Sequence, residues 1–196
     1  MFSEIAMART YTLKRRAEQQ AETRQRIVEA AVELHSTLGP ARTSLSLVAE
    51  KAGVQRNTLY AHFPDERSLL MACSGLTNER DPPPSAEPWR SIGERKVRLR
   101  TGLAEVYAWF DRNAEMAGCV LRDAEHHEPT REITELRLGP AISGWREVLG
   151  AGLSESQRAV LHLALSFHTW RALVREAGLA QEAAAATMAL AIEAAA

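Results

Sequence analysis

Apolar residues recur at three- and four-residue spacing along most of the chain, and runs alternating apolar with polar positions are absent. That periodicity predicts an all-α fold. Ile27, Ala30, Ala31, Leu34 and Leu38 form one apolar stripe on a first helix over Ala21–Leu38. Gly39-Pro40 ends it, since glycine accepts a left-handed cap and proline cannot continue a helix. A short second helix is predicted over Ser44–Ala52, with Thr43 or Ser44 as its N-cap and Leu45, Val48 and Ala49 inward. Gly53 starts a tight turn, a third helix covers Gln55–Phe63, and Pro64 stops it. Asp65 can cap a fourth helix from Glu66 to about Asn78, with Leu69, Leu70, Ala72 and Cys73 as core positions.

Four of the eight prolines fall in the segment from Asp81 to Pro88, which nothing helical can cross, so a loop between two layers is expected there. A long helix follows over Ile92–Ala114, with Val97, Leu99, Leu103, Val106, Tyr107 and Phe110 as its apolar positions. Further helices are predicted over Ala117–His127, Thr130–Leu138 and Ala141–Leu149, the last two separated by Gly139-Pro140. Ser154 caps a strongly apolar helix, Glu155–Ala177, and an alanine-rich helix, Gln181–Ala195, closes the chain. Both are apolar on more than one face and call for partners on several sides, which a second subunit would supply. The first 20 residues have little to bury and read as a loose basic arm carrying Arg9, Lys14, Arg15 and Arg16; Met7 within it is an alternative start.

Composition narrows the class. The chain has 196 residues, 45% hydrophobic and 25% charged, which suits a folded globular protein and excludes wholesale disorder. No apolar run is long enough for a membrane span, and the start Met1-Phe2-Ser3-Glu4 has no apolar signal core, so a cytoplasmic protein is expected. Cys73 and Cys119 are expected to be reduced, although one disulfide between them is possible in principle. Net charge is -1, but residues 1–64 hold nine Lys and Arg against six Asp and Glu, and residues 65–196 hold fifteen against nineteen. The positive end is therefore the N-terminal one.

The chemistry concentrates in the second and third helices. Ala49 is small enough for the two to approach closely, Gly53 tolerates the turn, and Val54 and Leu59 anchor the third helix. Gln55, Arg56, Asn57, Thr58, Tyr60 and His62 are then left outward, all with hydrogen-bonding side chains. A DNA major groove about 12 Å wide admits one such helix. Arg56 suits guanine, Gln55 or Asn57 suits adenine, and Thr58, Tyr60 and His62 suit phosphate oxygens. Ser44 and the amides that open the third helix can hold another phosphate.

Thr43-Ser44, the run Val48-Ala49-Glu50-Lys51-Ala52-Gly53-Val54 and the run Thr58-Leu59-Tyr60-Ala61-His62-Phe63, preceded by Ile27-Val28-Glu29-Ala30-Ala31 and followed by Leu69-Leu70, closely resemble the N-terminal domain of the TetR family, the tetracycline-repressor-like regulators. The resemblance runs without gaps from Thr23 to Ala72. It implies an all-helical homodimer, with a basic arm over 1–20, a DNA-binding domain over 21–64 and a ligand-binding and dimerisation domain over 65–196. It implies a repressor of transcription that a small molecule releases from a near-palindromic operator. The dimer surface is expected on the last two helices. The C-terminal run Tyr107-Ala108-Trp109-Phe110 followed by Val120 to Glu125 looks like a subgroup pattern and names no ligand. Three positions depart from the family pattern: His35 stands where an aromatic core residue is usual, Ser46 where an arginine often holds phosphate, and Leu47 where an acidic residue is frequent. Lys14, Arg15, Arg16 and Arg24 can supply the missing positive charge.

Other features have plainer readings. Trp109, Phe110, Met116, Trp145, Phe167 and Trp170 suit either a ligand pocket or ordinary core. His162 and His168 read as satisfied core or interface histidines, or as hydrogen-bonding partners of a ligand. Asp123, Glu125, His126, His127 and Glu128 could in principle ligate a metal, but no His-Glu-x-x-His pattern is present and a polar helix end beside Pro129 explains them. No nucleophile elbow, phosphate loop or dinucleotide fingerprint occurs, so neither an enzyme nor a cofactor is implied. The rival readings are a helical metal-dependent enzyme using the Asp123–Glu128 cluster and a helical adaptor that does not bind DNA.

Overall fold

In the computed structural model, the backbone of residues 2–195 and the side chains of residues 14–195 are described. Ten α-helices follow one another, and no strand occurs among the described residues. They are α1 (Phe2–Thr37), α2 (Leu45–Lys51), α3 (Arg56–His62), α4 (Glu66–Arg80) and α5 (Arg95–Arg112). The C-terminal half continues with α6 (Ala114–Ala124), α7 (Glu128–Leu149), α8 (Glu155–Ala164), α9 (Phe167–Arg171) and α10 (Gln181–Ala194).

Two buried clusters organise them. The first joins Ile27, Val28, Ala30 and Ala31 of α1, Val48 and Ala49 of α2, Leu59 of α3 and Leu69, Leu70 and Cys73 of α4, with Ile133 of α7 closing it. The second is larger and joins α5, α7, α8, α9 and α10 around Leu103, Tyr107, Trp145 and Trp170. Within it, α10 lies along α5 and α8 packs on α10. Helix α4 starts at a capping box in which Asp65 accepts the Ser68 amide at 2.7 Å. The proline-rich loop is a fixed part of the structure: Trp145 donates its indole N–H to Pro84 O at 2.7 Å and Trp109 donates to Asp81 O at 3.0 Å.

Four expectations change. The segment 1–20 is not a loose arm over its described part but an extension of α1, because no glycine or proline interrupts it and good helix formers such as Ala17, Glu18, Gln19 and Gln20 carry it. Arg9 and Met7 lie outside the residues whose side chains are described, and Met1 outside the described backbone. Gly139-Pro140 does not divide two helices but lies within α7. Pro140 is exposed and so is Leu136, one turn earlier, so the backbone bond that proline forfeits lies on the solvent side. The helix expected over Glu155–Ala177 breaks at Leu165-Ser166, where Ser166 caps α9 by accepting the His168 amide at 3.2 Å, and ends in one wide turn over Ala172–Glu176. Val97, placed in the core by periodicity, is 44% exposed at the start of α5.

Candidate nucleic-acid interface and ligand cavity

Helix α2 is capped by Ser44, whose Oγ accepts the Leu47 amide at 3.2 Å. Gly53 then takes φ +65°, a left-handed conformation, and the Val54 amide returns to Ala49 O at 3.0 Å. This turn sets α3 across α2 with Leu59 fully buried and Phe63 beneath its end. Gln55, Arg56, Asn57 and Tyr60 are exposed, and Thr58 and His62 are half-buried. None of these six side chains has a hydrogen-bond partner among the described residues.

The scaffold under α3 is fixed. Lys51 of α2 pairs with Glu33 of α1, and Arg80 of α4 pairs with Glu29 of α1. The Arg24 guanidinium lies 4.9 Å over the Phe63 ring, which places this cation beside the end of α3. Lys14, Arg15 and Arg16 are exposed farther along α1, roughly 12–15 Å from Arg24 at 1.5 Å per residue.

A cavity of about 150 Å³ lies between α1, α4, α5, α6 and α7. Leu70, Trp109, Phe110, Met116, Val120 and Ile133 supply its apolar wall. Of the six residues suggested as pocket lining, Trp109, Phe110 and Met116 meet here. Trp145, Phe167 and Trp170 do not; they are buried in the second core cluster, where Phe167 and Trp170 stack beside Phe110 with ring centroids 5.5 and 6.2 Å from it. His162 and His168 are both exposed rather than in the core; His162 Nδ1 lies 2.8 Å from the Arg146 guanidinium.

Polar groups in the cavity have defined states. His35 is buried, and desolvation lowers its pKa to about 4, so the imidazole is neutral at pH 7. Its Nδ1 lies 3.3 Å from Cys73 Sγ. Burial pushes the Cys73 thiol up to about 12. Both cysteines are free. Arg112 grips Asp81 with two bonds of 2.9 and 3.0 Å and holds its carboxyl below the usual range.

The structure adds a contact for which the sequence suggests another role. Asp123 is buried; it accepts the Ala41 amide at 2.9 Å and Arg122 Nε at 2.8 Å. Arg122 in turn donates to Leu38 O at 2.9 Å. The end of α6 is thereby clasped to the turn between α1 and α2. His127 meets Thr130 Oγ1 at 2.7 Å, and no cluster of three metal-binding side chains occurs among the described residues. Arg137, which lines the cavity, has no sequence signal beyond a basic residue one turn after the apolar Ile133.

Residues 27–73 match the family model of bacterial regulatory proteins of the tetR family. The HTH-type transcriptional regulator TtgR of Pseudomonas putida is 42% identical over 60 residues, 31% of this chain and 29% of that protein. The HTH-type transcriptional regulator AcrR of Shigella flexneri is 43% identical over 59 residues, 30% of this chain and 27% of that protein. The matched segment thus spans less than a third of those relatives. The whole fold is similar to a tetR-family transcriptional regulator from Streptomyces coelicolor, with TM-score 0.61 at 18% identity over 89% of this chain and 80% of that one. It is also similar to the FadR regulator of Bacillus subtilis in complex with stearoyl-CoA, with TM-score 0.58 at 16% identity over 88% of this chain and 98% of that one. No described helix is long and apolar enough to cross a membrane. The N-terminal segment thus matches the tetR family of bacterial regulatory proteins, and the fold of the whole chain is similar to those solved structures.

Proposed function

We propose that the chain is a sequence-specific DNA-binding regulator, a repressor that a small molecule releases from its operator, and not an enzyme. The observation that carries this reading is the outward face of α3. Six hydrogen-bonding side chains stand over a buried Leu59 without protein partners among the described residues. Arg56 reads guanine and Gln55 or Asn57 reads adenine. Thr58, Tyr60, His62 and Ser44 hold phosphates, with Arg24, Lys14, Arg15 and Arg16 adding charge along α1. Residues 21–64 form the DNA-binding part, and residues 65–196 the ligand-binding and dimerising part. Two copies place their recognition helices about 34–36 Å apart on a near-palindromic site in the cytoplasm.

The cavity supports the ligand response. It is lined by α4, which follows α3 directly, and by α6, which clasps the α1–α2 turn. A ligand that spreads these helices changes the separation of the two recognition helices. Turning a 1:99 population to 99:1 takes a preference of about 5.5 kcal/mol for one state. The FadR neighbour, similar in fold, is in complex with stearoyl-CoA, a molecule that carries a long apolar chain.

Selection of duplexes from a random pool tests the reading. Arg56→Ala should relax preference at one base pair, whereas Tyr60→Phe and His62→Ala should weaken all duplexes alike. Absence of duplex binding even at low salt, where phosphate contacts are strongest, would leave the adaptor reading instead.

A further inference from the structure

The ligand-responsive reading leaves the ligand's chemistry open, and the charges around the cavity narrow it. Asp81 and Arg137 are its charged lining residues once His35 is neutral. Asp81 is neutralised by Arg112 and accepts a further bond from Asn113 Nδ2 at 2.7 Å. Arg137 has no acidic partner among the described residues. Its Nε donates to Ser74 Oγ at 3.2 Å and its Nη2 to Met71 O at 3.1 Å, both neutral acceptors on α4. These two bonds occupy one edge of the guanidinium. The opposite edge, Nη1 with the second hydrogen of Nη2, keeps the parallel fork that matches a carboxylate. Aromatic and aliphatic side chains, Trp109, Phe110, Leu70 and Ile133 among them, face the same space.

We propose that the cavity binds a small apolar carboxylic acid as its anion, with the carboxylate on Arg137 and the hydrocarbon or aryl body against Trp109 and Phe110. The proposal rests on the ligand-responsive reading and deepens it. A cavity near 150 Å³ is the size that accepts benzene in other proteins, so the fit is to an acid of roughly seven to ten non-hydrogen atoms. An amine would meet an uncompensated cation. A neutral amide would leave the guanidinium fork half satisfied. Because Arg137 also holds the Met71 carbonyl, a carboxylate drawing on it acts directly on α4, the helix that follows α3.

The test is titration of the full chain at pH 7 with benzoate, phenylacetate and hexanoate. Each acid is compared with its own primary amide by calorimetry and thermal unfolding. At least one acid should bind and raise the unfolding temperature, with its amide at least about tenfold weaker, the scale of a charge-assisted hydrogen bond. Arg137→Gln should weaken the acid by about tenfold or more and its amide by less than about twofold. Arg137→Lys should keep part of the preference. The acid–amide comparison on the unaltered chain stands even if the Gln variant fails to fold. Failure of all three acids to bind, equal binding of an acid and its amide, or an unchanged acid affinity in Arg137→Gln overturns the proposal. Anisotropy of a selected duplex separates the two ideas. Acid binding that leaves the duplex bound would sink the ligand-responsive reading while the anion site stands. Release of the duplex by an amide as readily as by its acid would do the reverse.

Discussion

His35 occupies a core position with a titratable ring, and its burial has a cost that depends on pH. The folded chain holds the imidazole neutral down to a pKa of about 4, while the unfolded chain protonates it near the ordinary 6.5. Between those values the unfolded state binds more protons, so stability is full above about 6.5 and falls as pH drops towards about 4. The loss should reach about 3 kcal/mol in urea unfolding curves taken across that window. His35→Phe, which restores an aromatic side chain, should flatten the curve; an equally steep loss in the variant would assign the effect to other groups. A neighbouring residue makes a sharper demand. Gly39 has φ +95°, and a Cβ there would lie 2.3 Å from Asp123 Oδ2. Gly39→Ala combines backbone strain with a clash at a buried carboxylate, so it should lose about 2 kcal/mol or more in thermal unfolding. The departure at His35 and the helix-ending role of Gly39 were legible in the sequence. The carboxylate packed against Gly39 was not, because it arrives from a residue more than 80 positions away.

Among the elements, α6 connects the cavity to the turn between α1 and α2. Met116 and Val120 face the cavity, and Arg122 and Asp123 at the far end hold Leu38 O and the Ala41 amide. Asp123→Ala removes that acceptor from the part-buried Ala41 amide, and a hydrogen bond to a charged group is worth about 1.5–3 kcal/mol. The expected outcome is a lower unfolding temperature together with duplex binding that responds less to ligand. Asp123→Asn, which keeps an acceptor, should recover part of both. A stable Asp123→Ala variant with full ligand response would show that α4 alone carries the signal. The local elements here were readable wherever a cap or breaker sat in open sequence, as with Ser44, Gly53, Pro64 and Asp65. They were misread where tertiary context decided. Pro140 is tolerated in α7 because the freed carbonyl lies on an exposed face, and α8 ends at Leu165 because Ser166 caps a new helix whose Phe167 and Trp170 must reach the aromatic cluster around Phe110. The residues of α3 that face outward followed from the anchoring of that helix by Val54 and Leu59, since a short helix on a core has only one buried side. The cavity did not follow from any such rule, because the packing of five helices against one another, and not the pattern within any one of them, encloses it.

At the scale of the whole molecule, the apolar surface left on α8 and α10 argues for a second copy. Leu163 is 57% exposed and Leu190 is 70% exposed, although α10 packs on α5 and α8 along its other side. Around Leu190 the exposed or half-buried positions of α10 are mostly small, Ala183, Ala186 and Ala191 among them, so a partner helix can approach closely. A stable interface buries about 1,600 Å² in total, which two such helix pairs can supply. The proposed function points the same way: if one α3 reads one half-site, joining two half-site contacts can raise affinity by about 10²–10⁴ without a new base contact. Introducing charge at Leu163→Glu together with Leu190→Glu should therefore convert a species of twice the chain mass into one of single mass in sedimentation. It should also weaken binding to a two-half-site duplex by about a hundredfold or more, with affinity for a single half-site nearly unchanged. Because neither leucine belongs to a buried cluster, the helical content of the separated chain should survive the substitutions. A double variant that still sediments at twice the chain mass would place the contact between copies on some other face.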